Sequence, residues 1–259
     1  MKQYVVDAFT DQVFAGNPAA VCVMDEWPTD EFMTKMAMEN NLSETAFTVR
    51  EGEKYHLRWF TPAGEVELCG HATLATSFVL FNYYEKDAVH IDYTTLSGIL
   101  SVDRIGDRFE LDFPAYELEK VEVTPEMAEA YGAEPVEAYM GADLLCVFGD
   151  EDVVRGMNPD QAKLSALPGL LQHAAAKGAD FDYVIRSFAP KCSVAEDPVC
   201  GRGQCHAVPY FAAVSGKAEL TAYQASRRGG TIYCRLAGNR AKLAGKAVLF
   251  SIDEVFARI

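Results

Sequence analysis

LRWFTP (residues 57–62), followed by LCG (68–70), returns later in the chain as IRSFAP (185–190), followed by VCG (199–201). Arg186 lies 128 positions after Arg58 and Cys200 lies 131 after Cys69, an offset of about half of the 259 residues. Two similar halves joined in tandem are the simplest reading. Each copy reads as a strand, a Pro-marked loop and a Cys-Gly pair opening an apolar stretch, so each half is expected to place a cysteine at a helix N-terminus. The unpaired amides and dipole of a helix start favour negative charge and lower a thiol's pKa. Cys69 and Cys200 are therefore expected to be acidified. If the halves face each other, the two helix starts flank one small anionic ligand.

Working outward, residues 2–9 and 19–24 read as strands. Thr29 is placed to cap a helix whose apolar positions Phe32, Met33, Met36 and Ala37 follow three- and four-residue spacing, ending near Asn40 and Asn41. Residues 45–49 and 55–60 are strand-like again. Residues 70–84 are apolar on nearly every side and kept slim by Ala72, Thr73, Ala75, Thr76 and Ser77, which predicts a central helix wrapped by sheet. A hairpin is expected at 99–113 around Gly106-Asp107, and a helix capped by Thr124 and Pro125 and closed by Gly132. The pattern then repeats: strands within 138–147, helical turns in 150–167, a strand at 183–188 and a second central helix at 201–215. Two or three closing strands are expected between 218 and 252. The fold class predicted is α+β, mixed α/β, with two pseudo-symmetric halves, each a curved, mostly antiparallel sheet around a central helix. The boundary is set at 1–116 and 117–259, with a late strand returning to the first half.

Composition narrows the partners. The formal charge is −15, from 38 acidic against 23 basic residues, which would repel nucleic acid and anionic membranes. A small-molecule substrate is expected, with no nucleic-acid and no membrane partner. Seven cysteines are an odd number, and the start, MKQYVVDAF, has no long apolar leader. Those features predict a cytoplasmic location with most thiols behaving as buried hydrophobes. Cys192, Cys200, Cys205 and His206 carry potential metal ligands, but lack the paired Cys-x-x-Cys spacing of structural zinc sites. The GRG segment (201–203) is too short for a nucleotide loop. No metal and no cofactor are expected.

The segments FAGNPAAV (14–21), NLSETAF (41–47), FTPAGEVELCGHATLA (60–75) and EDPVCGRGQCHAVPYF (196–211) together resemble the phenazine-biosynthesis PhzF-like family of the diaminopimelate epimerase and proline racemase superfamily. The resemblance implies two diaminopimelate epimerase-like halves with the active site in the cleft between them, no cofactor, and a homodimer. It makes Glu44 of NLSE the general acid and base, places His71 and Asp197 in the substrate pocket, and makes Asn17 a ligand contact. In the epimerase and racemase relatives the proton carriers are cysteines opening the two helices, matched here by Cys69 and Cys200. This chain carries both sets. It departs from the common EDPVTGSAH pattern at Cys200, Arg202 and Gln204, and Arg202 suits a carboxylate better than a neutral ring substituent.

Removing a proton from a carbon beside a carboxylate requires a base held close to that carbon and stabilisation of the charge that develops. A proton shift within one face of a conjugated substrate needs a single carboxylic acid, which Glu44 would supply. Stereoinversion needs two groups on opposite faces, which Cys69 and Cys200 would supply. The expected activity is thus a cofactor-independent isomerase acting on a small carboxylate-bearing metabolite, with Gly70, Gly201 and Arg202 helping to bind the carboxylate. The alternatives are a two-cysteine amino-acid racemase or epimerase, and a non-catalytic small-molecule-binding protein. Asp197 before Pro198 also fits a plain turn residue, and Arg202 also fits an ion pair with Glu196.

Overall fold

The computed structural model describes residues 1–256. Contacts between Cα atoms gather the chain into two compact units, one formed by Met1–Asp112 with the segment from Ala244 onward, the other by Phe113–Leu243.

In the first unit β1 (Lys2–Ala8), β2 (Asn17–Met24), α1 (Asp30–Asn40), β3 (Glu44–Glu51), β4 (Lys54–Thr61) and β5 (Gly64–Val66) precede α2 (Gly70–Val79). Then come β6 (His90–Thr95), β7 (Gly98–Ile105) and β8 (Arg108–Pro114). β1 pairs antiparallel with β2, β2 parallel with β3, β3 antiparallel with β4, β4 parallel with β6, and β6 antiparallel with β7. β5 is a short arm folded back on β4. α2 carries eight buried residues, from His71 to Val79, and packs on β1, β2 and β3. Its small side chains let strands approach on several sides, and the hydroxyls of Thr73, Thr76 and Ser77 satisfy themselves on carbonyls four residues back. The helix ends in a single π-helical turn, Leu80–Tyr84.

The second unit contains β9 (Glu119–Val121), α3 (Pro125–Tyr131), β10 (Glu137–Met140), β11 (Leu144–Phe148), α4 (Glu151–Gly156), α5 (Gln161–Ala166), β12 (Gln172–Lys177), β13 (Tyr183–Ala189) and β14 (Val194–Asp197). α6 (Gly201–Ser215), β15 (Glu219–Gln224), β16 (Gly230–Ala237) and β17 (Arg240–Gly245) follow, and β18 (Ala247–Glu254) runs antiparallel to β1 within the first unit. The pairing sequence repeats step for step: β10 antiparallel to β11, β11 parallel to β12, β12 antiparallel to β13, β13 parallel to β15, β15 antiparallel to β16. β14 is the second folded-back arm, on β13. Each unit is therefore a mostly antiparallel sheet with one buried helix, which is the α+β class expected from the duplicated motif.

The helix signals behave as their chemistry dictates. Thr29 accepts from the Phe32 N–H, and Asn41 closes α1 at φ 50°. Thr124 precedes α3 without capping it through its side chain, while Gly132 closes it at φ 73°. Pro209 sits inside α6 and has no N–H for the carbonyl of Cys205, which accepts from Tyr116 N–H at 3.0 Å instead. Two expectations need correction. Four strands, not two or three, lie between 219 and 254, because residues 240–254 form two. β12 was not anticipated, since its QHAAAK sequence is buried on both faces and shows no period-two alternation. Among the described residues no helix is long and apolar enough to cross a membrane.

Candidate active site

Parallel pairing puts the first residues of β2 and β3 side by side, with Ala19 opposite Glu44, and the first turn of α2 packs on both strands. Asn17, Glu44 and His71 therefore occupy three neighbouring element ends. The NLSE segment reaches that corner because left-handed Asn41 reverses the chain after α1. Asn40 then ties the turn down, donating to Gln3 Oε1 and Thr45 Oγ1, both at 2.9 Å. At the corner His71 Nε2 lies 3.0 Å from Glu44 Oε2, and its Nδ1 lies 3.1 Å from Asn17 Nδ2 and 3.5 Å from Cys69 Sγ. Both of the facing atoms, Glu44 Oε2 and His71 Nε2, are buried and have no other partner.

The thiols do not behave as expected. Burial, aided by the Glu44 charge, pushes Cys69 up despite the opposing pull of His71. Burial, with the charge of Asp197, likewise pushes Cys200 well up, although its sulfur accepts the Gly203 N–H at 3.3 Å. Desolvation outweighs the helix start in both, so the two cysteines are neutral thiols rather than acidified ones. Burial of the His71 ring disfavours the imidazolium, but the adjoining Cys69 and Glu44 outweigh it and hold His71 well above the ordinary imidazole range.

The second unit builds an equivalent corner from different residues. Asp143 sits just before β11, His173 near the start of β12 and Arg202 on the first turn of α6. Arg202 Nε donates to Asp143 Oδ2, and its Nη2 lies 3.3 Å from Oδ1. Asp143 Oδ1 also accepts from the N–H groups of Leu170 and Leu171 at 3.0 and 3.1 Å. Although burial opposes ionisation, these contacts with His173 and Arg202 hold the Asp143 carboxyl far below the usual range. The expected Arg202–Glu196 pair is not formed, because Glu196 is taken by Arg186 at 2.7 and 2.8 Å. Asp197 lies on β14 opposite Ser187 and near Cys200. Gly201 opens α6, and Gly203 has no room for a side chain: a Cβ would lie 2.7 Å from Ser187 Oγ.

Each corner brings three potential metal-ligand atoms within 4.8 Å, from Glu44, Cys69 and His71, and from Asp143, His173 and His206. In the second set His206 is already engaged, with Nδ1 against the Arg202 carbonyl and Nε2 accepting the Asp143 N–H, both at 2.9 Å. Sequence reading missed Asp143 and His173, which lie outside the repeated motif. It also missed the duplicated clamps Arg58–Glu65 and Arg186–Glu196, each with two nitrogen-to-oxygen contacts of 2.6–2.8 Å. Glutamates seven and ten residues after the two repeated arginines were the available signal.

A family model described as phenazine biosynthesis-like protein matches residues 6–252. An uncharacterized isomerase of Pseudomonas aeruginosa is 47% identical over 256 residues, covering 98% of both chains. The crystal structure of a PhzF-family phenazine biosynthesis protein from Enterococcus faecalis superposes with a TM-score of 0.97 at 45% identity, covering 99% of each chain. A probable proline racemase from Agrobacterium radiobacter shares the fold at a TM-score of 0.63 and 10% identity, covering 98% of this chain and 92% of that one. The duplicated sheets, the corner assembled from NLSE and CGH, and these similarities agree that the chain belongs to the phenazine biosynthesis-like (PhzC-PhzF) family.

Proposed function

We propose that the chain is a cofactor-independent isomerase that moves a proton on a small carboxylate-bearing metabolite, with Glu44 as the proton carrier. The observation that supports this most is the buried corner in which Glu44 Oε2 lies 3.0 Å from His71 Nε2, with Asn17 and Cys69 on the other side of the ring. In this reading Glu44 takes the proton from the carbon next to the carboxylate and returns it to another carbon of the conjugated system. His71 holds the Glu44 carboxylate in place, and Asn17 fixes the ring. Gly70, which opens α2 beside His71, is the backbone candidate for the substrate carboxylate.

The two-cysteine racemase reading is weaker because stereoinversion needs one of its carriers as a thiolate, whereas burial raises both Cys69 and Cys200. Arg202 is reassigned mainly to its pair with Asp143. The test is incubation with a panel of small unsaturated, hydroxy and amino acids in heavy water, followed by NMR or mass detection of deuterium next to the carboxylate. Incorporation that depends on Glu44 supports the isomerase. No incorporation across the panel, with binding retained, favours a small-molecule-binding protein instead.

A further inference from the structure

The corner of Glu44, Cys69 and His71 lies wholly within the first unit, and its donor chemistry reaches beyond proton transfer. Cys69 and His71 stand two residues apart at the start of α2, and the parallel pairing of β2 and β3 delivers Glu44 beside them. The Cys69 sulfur makes no side-chain cap on its helix, whereas the Cys200 sulfur caps α6 by accepting the Gly203 N–H. Cys69 Sγ instead faces His71 Nδ1 at 3.5 Å. A tetrahedral zinc ion, with bonds of about 2.3 Å to sulfur and about 2.0 Å to nitrogen, sets two such ligands about 3.5 Å apart. The sulfur and the ring nitrogen therefore stand at a zinc-binding separation.

Glu44 supplies the third donor, since one ligand atom from each of the three residues falls within 4.8 Å of the other two. Its side chain is 17% exposed against 8% for His71, so an ion arriving from solvent meets the carboxylate first. The ion has to displace the Asn17 amide, which stands 3.1 Å from Nδ1, and the site is correspondingly weaker than a closed structural cage. The cluster of Asp143, His173 and His206 offers no comparable set, because both ring nitrogens of His206 are engaged and it contains no sulfur. A thiol, an imidazole and one carboxylate select a borderline or soft cation such as Zn²⁺ over Mg²⁺ and Ca²⁺, which take oxygen ligands.

We propose that Glu44, Cys69 and His71 form a site for a thiophilic divalent cation, Zn²⁺ being the ion that fits, and that the bound ion inhibits proton transfer by occupying Glu44. On binding, the Cys69 S–H bond breaks, its proton passes to solvent and a sulfur–zinc bond forms. The inhibition rests on the isomerase reading above, whereas the binding of the ion does not. Titration of the full chain with Co²⁺, a coloured stand-in for Zn²⁺, tests it. A sulfur-to-cobalt charge-transfer band is expected, which Zn²⁺ abolishes and Mg²⁺ in about hundredfold excess does not. Cys69→Ser should remove the band and weaken Zn²⁺ binding about tenfold or more by isothermal titration, with Cys69→Ala as the second variant should the serine fail to fold. Cys192→Ser, which removes an exposed thiol outside the site, should leave band and affinity unchanged. Glu44→Gln should keep the band while loosening Zn²⁺ several-fold. Absence of the band, or a band that survives both substitutions of Cys69, overturns the site, and deuterium exchange that runs at full rate with Zn²⁺ bound overturns the inhibition. A Cys69-dependent band without deuterium exchange in any acid would sink the isomerase reading and leave the metal site standing. Exchange without such a band would do the reverse.

Discussion

At the scale of single residues, the proposed role of Glu44 and that of the cysteines can be told apart by substitution. Glu44→Gln keeps the shape of the side chain but cannot carry a proton, so deuterium incorporation should fall by about 10²–10⁴-fold, measured as an initial rate. Cys200→Ser should leave a one-carboxylate shift within a few-fold of wild type, and loss of all exchange in that variant would instead favour the racemase. Arg202→Ser tests the reassigned arginine. It strips the counterion from fully buried Asp143 and should lower stability by about 2 kcal/mol, read from the urea midpoint. The figure is at the low end because Arg202 is 41% exposed and the Leu170 and Leu171 amides remain. Because Asp143 is held below its unfolded value, its stabilisation is present above about pH 4 and is lost as pH falls. The gap between wild type and Arg202→Ser should therefore narrow on acidification.

At the scale of elements, the two folded-back arms, β5 and β14, are held by the duplicated arginines. Arg58 grips Glu65 and reaches Asp30 at the start of α1 at 2.9 Å. Arg186 grips Glu196 and donates to the carbonyls of Val154 and Met157 at the end of α4 at 3.3 and 2.6 Å. Each clamp thus ties the strand before a buried cysteine to a neighbouring helix. Lysine cannot make the paired contact, so Arg186→Lys should cost about 2 kcal/mol by chemical denaturation. The arginines were visible in the repeat, but their partners were not, because the arms differ in length and shift the glutamate by three positions. Arg202 shows the same limit: sequence proximity suggested Glu196, whereas the start of β11 delivered Asp143 from 59 residues away.

For the whole molecule, alkaline pH is the exposed weakness. Burial pushes Cys22, Cys146, Cys205 and Cys234 up to about 12, and raises Cys69 and Cys200 as well. Thiols raised on folding leave stability intact below the unfolded value near 8.5 and remove it as pH climbs toward the folded value. Each contributes a loss of about 1.4 kcal/mol per pH unit above that point. The urea midpoint should fall steeply from pH 8.5 to 9.5, and Cys22→Ala should make the slope shallower. A flat profile over that range would show that these thiols ionise in the folded protein.

The sequence by itself determined the duplication, the two buried helices, their cysteine starts and the segments that form the candidate corner. These rest on local signals such as Cys-Gly openings, slim apolar runs and left-handed caps, all of which read out within a few residues. Only the tertiary structure decided the state of the thiols, the partner of Arg202 and the residues that complete the second corner. Each of those depends on desolvation and on strands that pair across long stretches of chain, so the energy that fixes them is absent from any short window of sequence.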